Sequence, residues 1–371
     1  MPMTDALQQQ IAAFAGRHVA SRDFNRDTAF PLDLWHDMGT AGLFRIGLPE
    51  RFGGTGGGYA AIAEADRTLS EHGGSPGFAM SWAGHQVIAR FFLEGFGSAA
   101  QQAAYLPALA AGRITASVAI SEPGAGAHPK HLKTTAVRDG DDFVLAGEKA
   151  YVTNGPIADL FIVLAVTTVD AGRKRYSAFL VPRGTAGLQQ IEGPTIDFLR
   201  PSPHCGLRLT DCRVPRSGML GPEGTAYETM AGPFRDVEDA VGTGGLSGTL
   251  RFLLRQLAQA SGDAASTETT AFLGELAGVV ALIGQGARAI VAALEAGHLL
   301  DGDGPATLVG IRAMAAYVLS RAKAHRETLG AADHDKLDTL LRDLDKSLAI
   351  AKGPRLVKQN RLGLALLEKR P

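Results

Sequence analysis

The stretch from Ile114 to Val214 carries the strongest constraint on the fold, because it reads as β-strand while the sequence on both sides reads as helix. The runs ITASVAIS, DDFVLAGEKAYVT, LFIVLAVTTV, YSAFLVP and CGLRLTDCRVP are rich in β-branched and aromatic residues. RDGD at 138–141 has the chemistry of a tight hairpin turn between two of them. Runs this close together predict a compact barrel or sandwich. Before Gly112 the pattern is helical: Leu7, Ile11, Phe14 and His18 share one face, Pro31 suits a helix's first turn, and Ser98 with Gln101 predicts a capping box. After Gly224 helices return, first around Tyr227 to Gln259. They continue through FLGELAGVVALIGQGARAIVAALEAG, which is apolar nearly all round and is expected inside a helical bundle.

Composition limits the function classes. The chain has 371 residues, is 45% hydrophobic and 20% charged, and has a net charge of −1. That balance suits globular domains and gives no electrostatic reason to expect a nucleic-acid partner. The beginning of the chain has no cationic stretch before an apolar core, and no long uncharged apolar run predicts a membrane span. The two cysteines, Cys205 and Cys212, match no common zinc spacing. No metal site is expected, and a reducing cytoplasm is the default location.

The α, β, α order suggests a ligand held where a β-module meets helices. ISEPGAGAH at 120–128 follows an apolar strand, and its G-x-G lets backbone amides approach an anionic or planar ligand. Thirty residues on, YVTNG at 151–155 sets an aromatic ring and a hydroxyl before an Asn-Gly turn. Together they could surround a flat heterocycle.

At these residues the sequence resembles the acyl-CoA dehydrogenase family. LPERFGGTGGGY at 48–59, ASVAISEPGAGAH at 116–128, GEKAYVTNGPIADLFIVLAVT at 147–167, RPS at 200–202 and LTDCRVP at 209–215 share the family's order and spacing. The resemblance implies an α+β multidomain fold: an N-terminal α-helical domain over 1–113, a central β-barrel domain over 114–224 and a C-terminal α-helical bundle over 225–371. It also implies FAD, with Ser121 bonding the flavin ring, Gly124 and Gly126 in the cofactor loop, Tyr151 packing on the ring and Thr153 near its N5 region. Ala127 departs from the serine common there. The implied substrate is an acyl-CoA or acyl-carrier thioester, and the implied electron acceptor is an electron-transfer flavoprotein.

The family also needs a carboxylate to take the α-proton. Its late Y-E-G-T loop is absent, but FRDVEDAVGTGG at 234–245 sets Glu238 in the family's alternative register, six residues before Gly244. Asp239 replaces the usual arginine beside it, which alters the local electrostatics. The R-x-x-F-G arginine that grips the cofactor pyrophosphate is missing from QASGDAASTETTAFLGELAG at 259–278, and HRETLGAADHDKLDTL at 325–340 replaces a glycine-rich adenosine cradle. These departures suggest the catalytic subunit of a hetero-oligomer with a second acyl-CoA dehydrogenase-like chain. A homo-oligomer and a non-catalytic structural partner that does not bind FAD alone are the other readings. His72, His85, His128, His131 and His204 show no ligand spacing, although His128 and His131 flank the flavin-type loop. The basic tail around Lys352, Arg355, Lys358 and Arg361 is expected to pack its apolar face and solvate the rest.

Overall fold

The computed structural model describes residues 3–26, 29–262, 265–299, 301–330 and 334–368, apart from the side chains of Lys352 and Pro354. Parts of QASGDAASTETTAFLGELAG and HRETLGAADHDKLDTL lie outside the described residues. The chain divides into two compact units, one holding 23–62 with 80–238 and the other 3–22, 63–79 and the chain from 239 onward.

In the first unit, helix α2 (Leu32–Thr40), residues 80–88 of α4 (Pro76–Ile88) and helix α5 (Ala99–Ala110) precede the strands. Pro31 stands just before the first residue of α2, and Ser98 with Gln101 closes the expected capping box on α5. Eight strands follow: β1 (Ala116–Ala119), β2 (Thr135–Asp139), β3 (Asp142–Thr153), β4 (Leu160–Asp170), β5 (Arg173–Pro182), β6 (Leu188–Ile191), β7 (His204–Pro215) and β8 (Met219–Leu220). They form one mixed sheet in the order β6-β7-β3-β2-β4-β5-β8, with β1 parallel to β4. The expected hairpin joins β2 to β3, and Gly140 takes the left-handed φ of 60° that this turn requires.

The sheet curls around its own core. Phe143 on β3 meets Phe179 on β5 with ring centroids 5.1 Å apart, although β2 and β4 lie between those strands in the ladder. Leu207 and Val214 of β7 join the same buried cluster. This curvature brings the loop after β1 against the end of β3.

In the second unit, residues of α3 (Tyr59–Gly73) and α1 (Asp5–Phe14) accompany the long helices α6 (Gly232–Ser261), α7 (Thr267–Glu295), α8 (Gly304–Thr328), α9 (Asp335–Ala349) and α10 (Lys352–Glu368). Ile11 and Phe14 are buried as their spacing predicts, and Phe14 stacks on His18 at 4.9 Å. Leu253 of α6, Val280 and Ile283 of α7, Ile311 of α8 and Leu341 of α9 share one core. Helix α7 presents only one face to that core; Gly274, Gly278, Ala281 and Gln285 point to solvent. Its all-round apolar texture comes from small residues, which raise hydropathy while adding little area to bury.

Candidate functional site

The glycine loop is built around a buried charge. Glu122, 5% exposed, accepts from the backbone N–H groups of Lys133 at 2.6 Å and Thr134 at 2.9 Å, and from Lys149 Nζ at 2.9 Å. Lys149 on β3 is fully buried and also donates to the Ile120 carbonyl at 3.2 Å. Burial pulls the Lys149 ammonium down to about 8, with the Glu122 charge opposing that fall. For Glu122, burial alone would raise the pKa, but the Lys149 charge and the Thr134 and Lys149 hydrogen bonds together hold it below the usual carboxylate value. Removing either partner would strand the other charge in the interior.

Further bonds fix the rest of the loop. The Ala150 N–H donates to the Ser121 carbonyl at 2.9 Å, so Ser121 and Tyr151 are neighbours across two segments far apart in sequence. The Glu122 N–H donates to the Gly126 carbonyl at 2.9 Å and closes a tight turn. Tyr176 donates its hydroxyl to the Pro129 carbonyl, and Tyr227 donates to the Ala127 carbonyl at 3.2 Å. Gly124 and Gly126 take φ values of 70° and 54°, and a Cβ on either would meet nothing within 4 Å. Their outer side is open to a ligand.

The end of β3 is equally fixed. Tyr151 adopts a φ of 57°, uncommon for an aromatic residue, and its side chain is left 53% exposed. Asn154, also left-handed, donates its Nδ2 to the Ser81 carbonyl and its backbone N–H to the Pro203 carbonyl, both at 2.8 Å. Ser117 donates its hydroxyl to the Thr153 carbonyl, which holds Thr153 half-buried at the strand end. An exposed flat ring, a strand-end hydroxyl and an open left-handed G-x-G turn on a rigid base form a donor set that fits one face of a planar, anionic heterocycle.

Thus Ser121, Gly124, Gly126, Tyr151 and Thr153 lie on two adjoining segments. Glu238 lies elsewhere, exposed on α6. The π-helical turn preceding α6 is tied to the loop by Tyr227, and Glu238 follows eleven residues later, within α6. Asp239 is compensated: Arg312 donates to it at 2.8 Å and Lys358 at 3.0 Å. The second carboxylate beside Glu238 is therefore not an uncancelled charge.

Sequence reasoning passed over Glu122 and Lys149. Their available signal was a charge directly after one apolar β-run, Glu122, and a charge inside another, Lys149. The histidines separate by environment. His85 is buried against Trp35 and Phe44 and accepts from the Ala116 N–H at 3.3 Å, while burial lowers its pKa to about 4. His128 and His131 are exposed, with rings 4.7 Å apart. Among the described residues, no group of three or more His, Cys, Asp or Glu could hold a metal ion.

Comparison with known proteins gives this geometry a context. Residues 2–113 match the description "Acyl-CoA dehydrogenase, N-terminal domain", and residues 117–212 match "Acyl-CoA dehydrogenase, middle domain". The chain belongs to the acyl-CoA dehydrogenase family. It is 32% identical over 255 residues to a mitochondrial isovaleryl-CoA dehydrogenase of Pongo abelii, covering 67% of this chain and 59% of that protein. It is 34% identical over 231 residues to the Solanum tuberosum counterpart, covering 61% and 56% respectively. The chain therefore matches less than two thirds of the length of these curated relatives. The solved butyryl-CoA dehydrogenase of Megasphaera elsdenii shares the fold over 99% of both chains, with a TM-score of 0.85 at 21% identity. The acyl-CoA dehydrogenase fold thus extends through the C-terminal helices, whereas the two matched descriptions end at Cys212.

Proposed function

We propose that this chain is an FAD-dependent dehydrogenase that introduces an α,β double bond into an acyl thioester carried on CoA or an acyl carrier. The observation that carries the reading is the Glu122–Lys149 pair, which ties the glycine loop to the end of β3 that carries Tyr151. Ser121, Gly124, Gly126, Tyr151 and Thr153 are the residues assigned to hold the flavin. When bound there, FAD supplies a two-electron acceptor for hydride. Glu238 would take the α-proton onto its carboxylate as the β-hydrogen leaves with the electron pair to the acceptor, so base and acceptor together account for both hydrogens. Glu238 is exposed on α6, and covering by a bound acyl chain would raise its basicity.

An electron-transfer flavoprotein is the proposed acceptor, and oligomerisation, with itself or a related subunit, is part of the same reading. The division at 113 and 224 is retained with it. Two buried, unpaired cysteines accord with a cytoplasmic setting.

The reading is tested with Glu238→Gln and short-, branched- and long-chain acyl-CoAs. Flavin content should stay unchanged while turnover falls by about 10²–10⁴-fold. Full turnover would remove Glu238 as the base, and absence of flavin from every preparation would favour a structural partner subunit.

A further inference from the structure

Helices α6 and α7 share the bundle core through Leu250 and Leu253 on the first and Val280 and Ile283 on the second. Close to these residues each helix carries two others one turn apart: Ser247 and Arg251 on α6, Gly284 and Arg288 on α7. Gly284 is buried and has no side chain, which leaves a gap that the other three border. The point where its Cβ would stand lies 3.2 Å from Ser247 Oγ, 3.5 Å from Arg251 Nη2 and 3.9 Å from Arg288 Nη1.

Among the described residues these donors have no use. Ser247 is fully buried, yet its hydroxyl has no partner. Thr243 and Thr249 on the same helix, by contrast, donate to the Ala240 carbonyl at 2.6 Å and the Gly245 carbonyl at 2.8 Å. Arg251 Nε is likewise buried without an acceptor. One turn further along α6, Arg255 donates to Glu71 at 3.1 Å, but among the described residues neither Arg251 nor Arg288 reaches a carboxylate. An unpaired buried hydroxyl and two neighbouring like charges each cost stability. One anion accepting from all three groups would remove both costs.

We propose that this gap binds a tetrahedral oxyanion, either the phosphate ion or the phosphate group of a monoester. Guanidinium groups present paired donors that match the edge of an oxyanion. Two positive charges with no acid between them suit a doubly charged ion, and the Ser247 hydroxyl supplies a third direction of approach. Arg288 is exposed, so the gap is bordered by solvent on that side.

The test is calorimetric titration of the full chain with sodium phosphate in a chloride buffer. One saturable site per chain at millimolar phosphate or below is expected. Arg251→Gln, and separately the exposed Arg288→Gln, should each weaken it about tenfold. Gly284→Ala places a methyl group at the meeting point and should abolish binding while helix content by circular dichroism is kept. Competition by glycerol phosphate would identify a monoester as the ligand, and indifference to it the free ion. Absence of saturable heat at millimolar phosphate would overturn the proposal, as would an affinity that neither arginine substitution changes. The titration reads phosphate itself, so its outcome is independent of the flavin assignment.

Discussion

Lys149 supports the proposed flavin site from the interior, beneath the residues assigned to it. It is fully buried, and it bonds both the Glu122 carboxylate and the Ile120 carbonyl, so it joins the two segments that carry every proposed flavin contact. Lys149→Met keeps the apolar stem and removes the charge, leaving Glu122 buried without its cation. We expect a stability loss of about 3–5 kcal/mol in denaturant titrations, accompanied by loss of flavin absorbance. Glu122→Gln with Lys149→Met removes both charges and should recover part of the stability; no recovery would mean that the pair is not coupled. At this scale the sequence was partly legible. SEPGAG and YVTNG marked the loop and the strand end because glycine and Asn-Gly chemistry is local. The bond between Glu122 and Lys149 was not legible, because a pairing across 27 positions depends on how the sheet folds.

Among the elements, the contact between α3 and α6 offers the sharpest dependence on conditions. Gly244, Gly245 and Gly248 let the two helices approach so closely that a Cβ on Gly248 would lie 2.1 Å from the Arg67 carbonyl oxygen. Asp66 is enclosed beside Gly245, and burial pushes its pKa up to about 7 against the smaller opposing effects of the Gly245 backbone and Ser70 hydrogen bonds. The unfolded chain releases this proton near 3.8, whereas the folded chain keeps it to about 7. Stability from this group is therefore full below about pH 4, falls as pH rises to 7 and is level above that. Asp66→Asn should remove this slope and gain on the order of 2–4 kcal/mol above pH 7, read from urea midpoints between pH 4 and 8. An unchanged slope would place the titration elsewhere. Element positions themselves were largely readable: the hairpin at Gly140 and the Ser98 cap follow rules that span only a few residues. Helix α7 exposed the limit of that method, since hydropathy does not tell a small residue that packs from one that faces solvent.

For the whole molecule, fold and recognition chemistry separate along the chain. The fold likeness covers 99% of the residues, yet the matched family descriptions end at 212, and residues 259–278 lack the arginine that the family resemblance implies for the cofactor pyrophosphate. Helical bundles tolerate wide substitution as long as the apolar pattern survives, as it does in Leu253, Ile283 and Ile311. Phosphate-binding side chains have no such redundancy, because each contact needs a particular donor in place. On the proposed reading, a chain that keeps the loop assigned to the flavin ring and lacks that arginine should hold FAD weakly by itself. Purified alone, it is expected to carry well under one flavin per chain by visible absorbance. Co-expression with an acyl-CoA dehydrogenase-like subunit that carries the arginine should bring the complex to full occupancy, and Lys149→Met should abolish that gain. Stoichiometric flavin on the isolated chain would instead mean that the described residues supply a phosphate site of their own, and the composite-site reading would fall while the dehydrogenase reading stood.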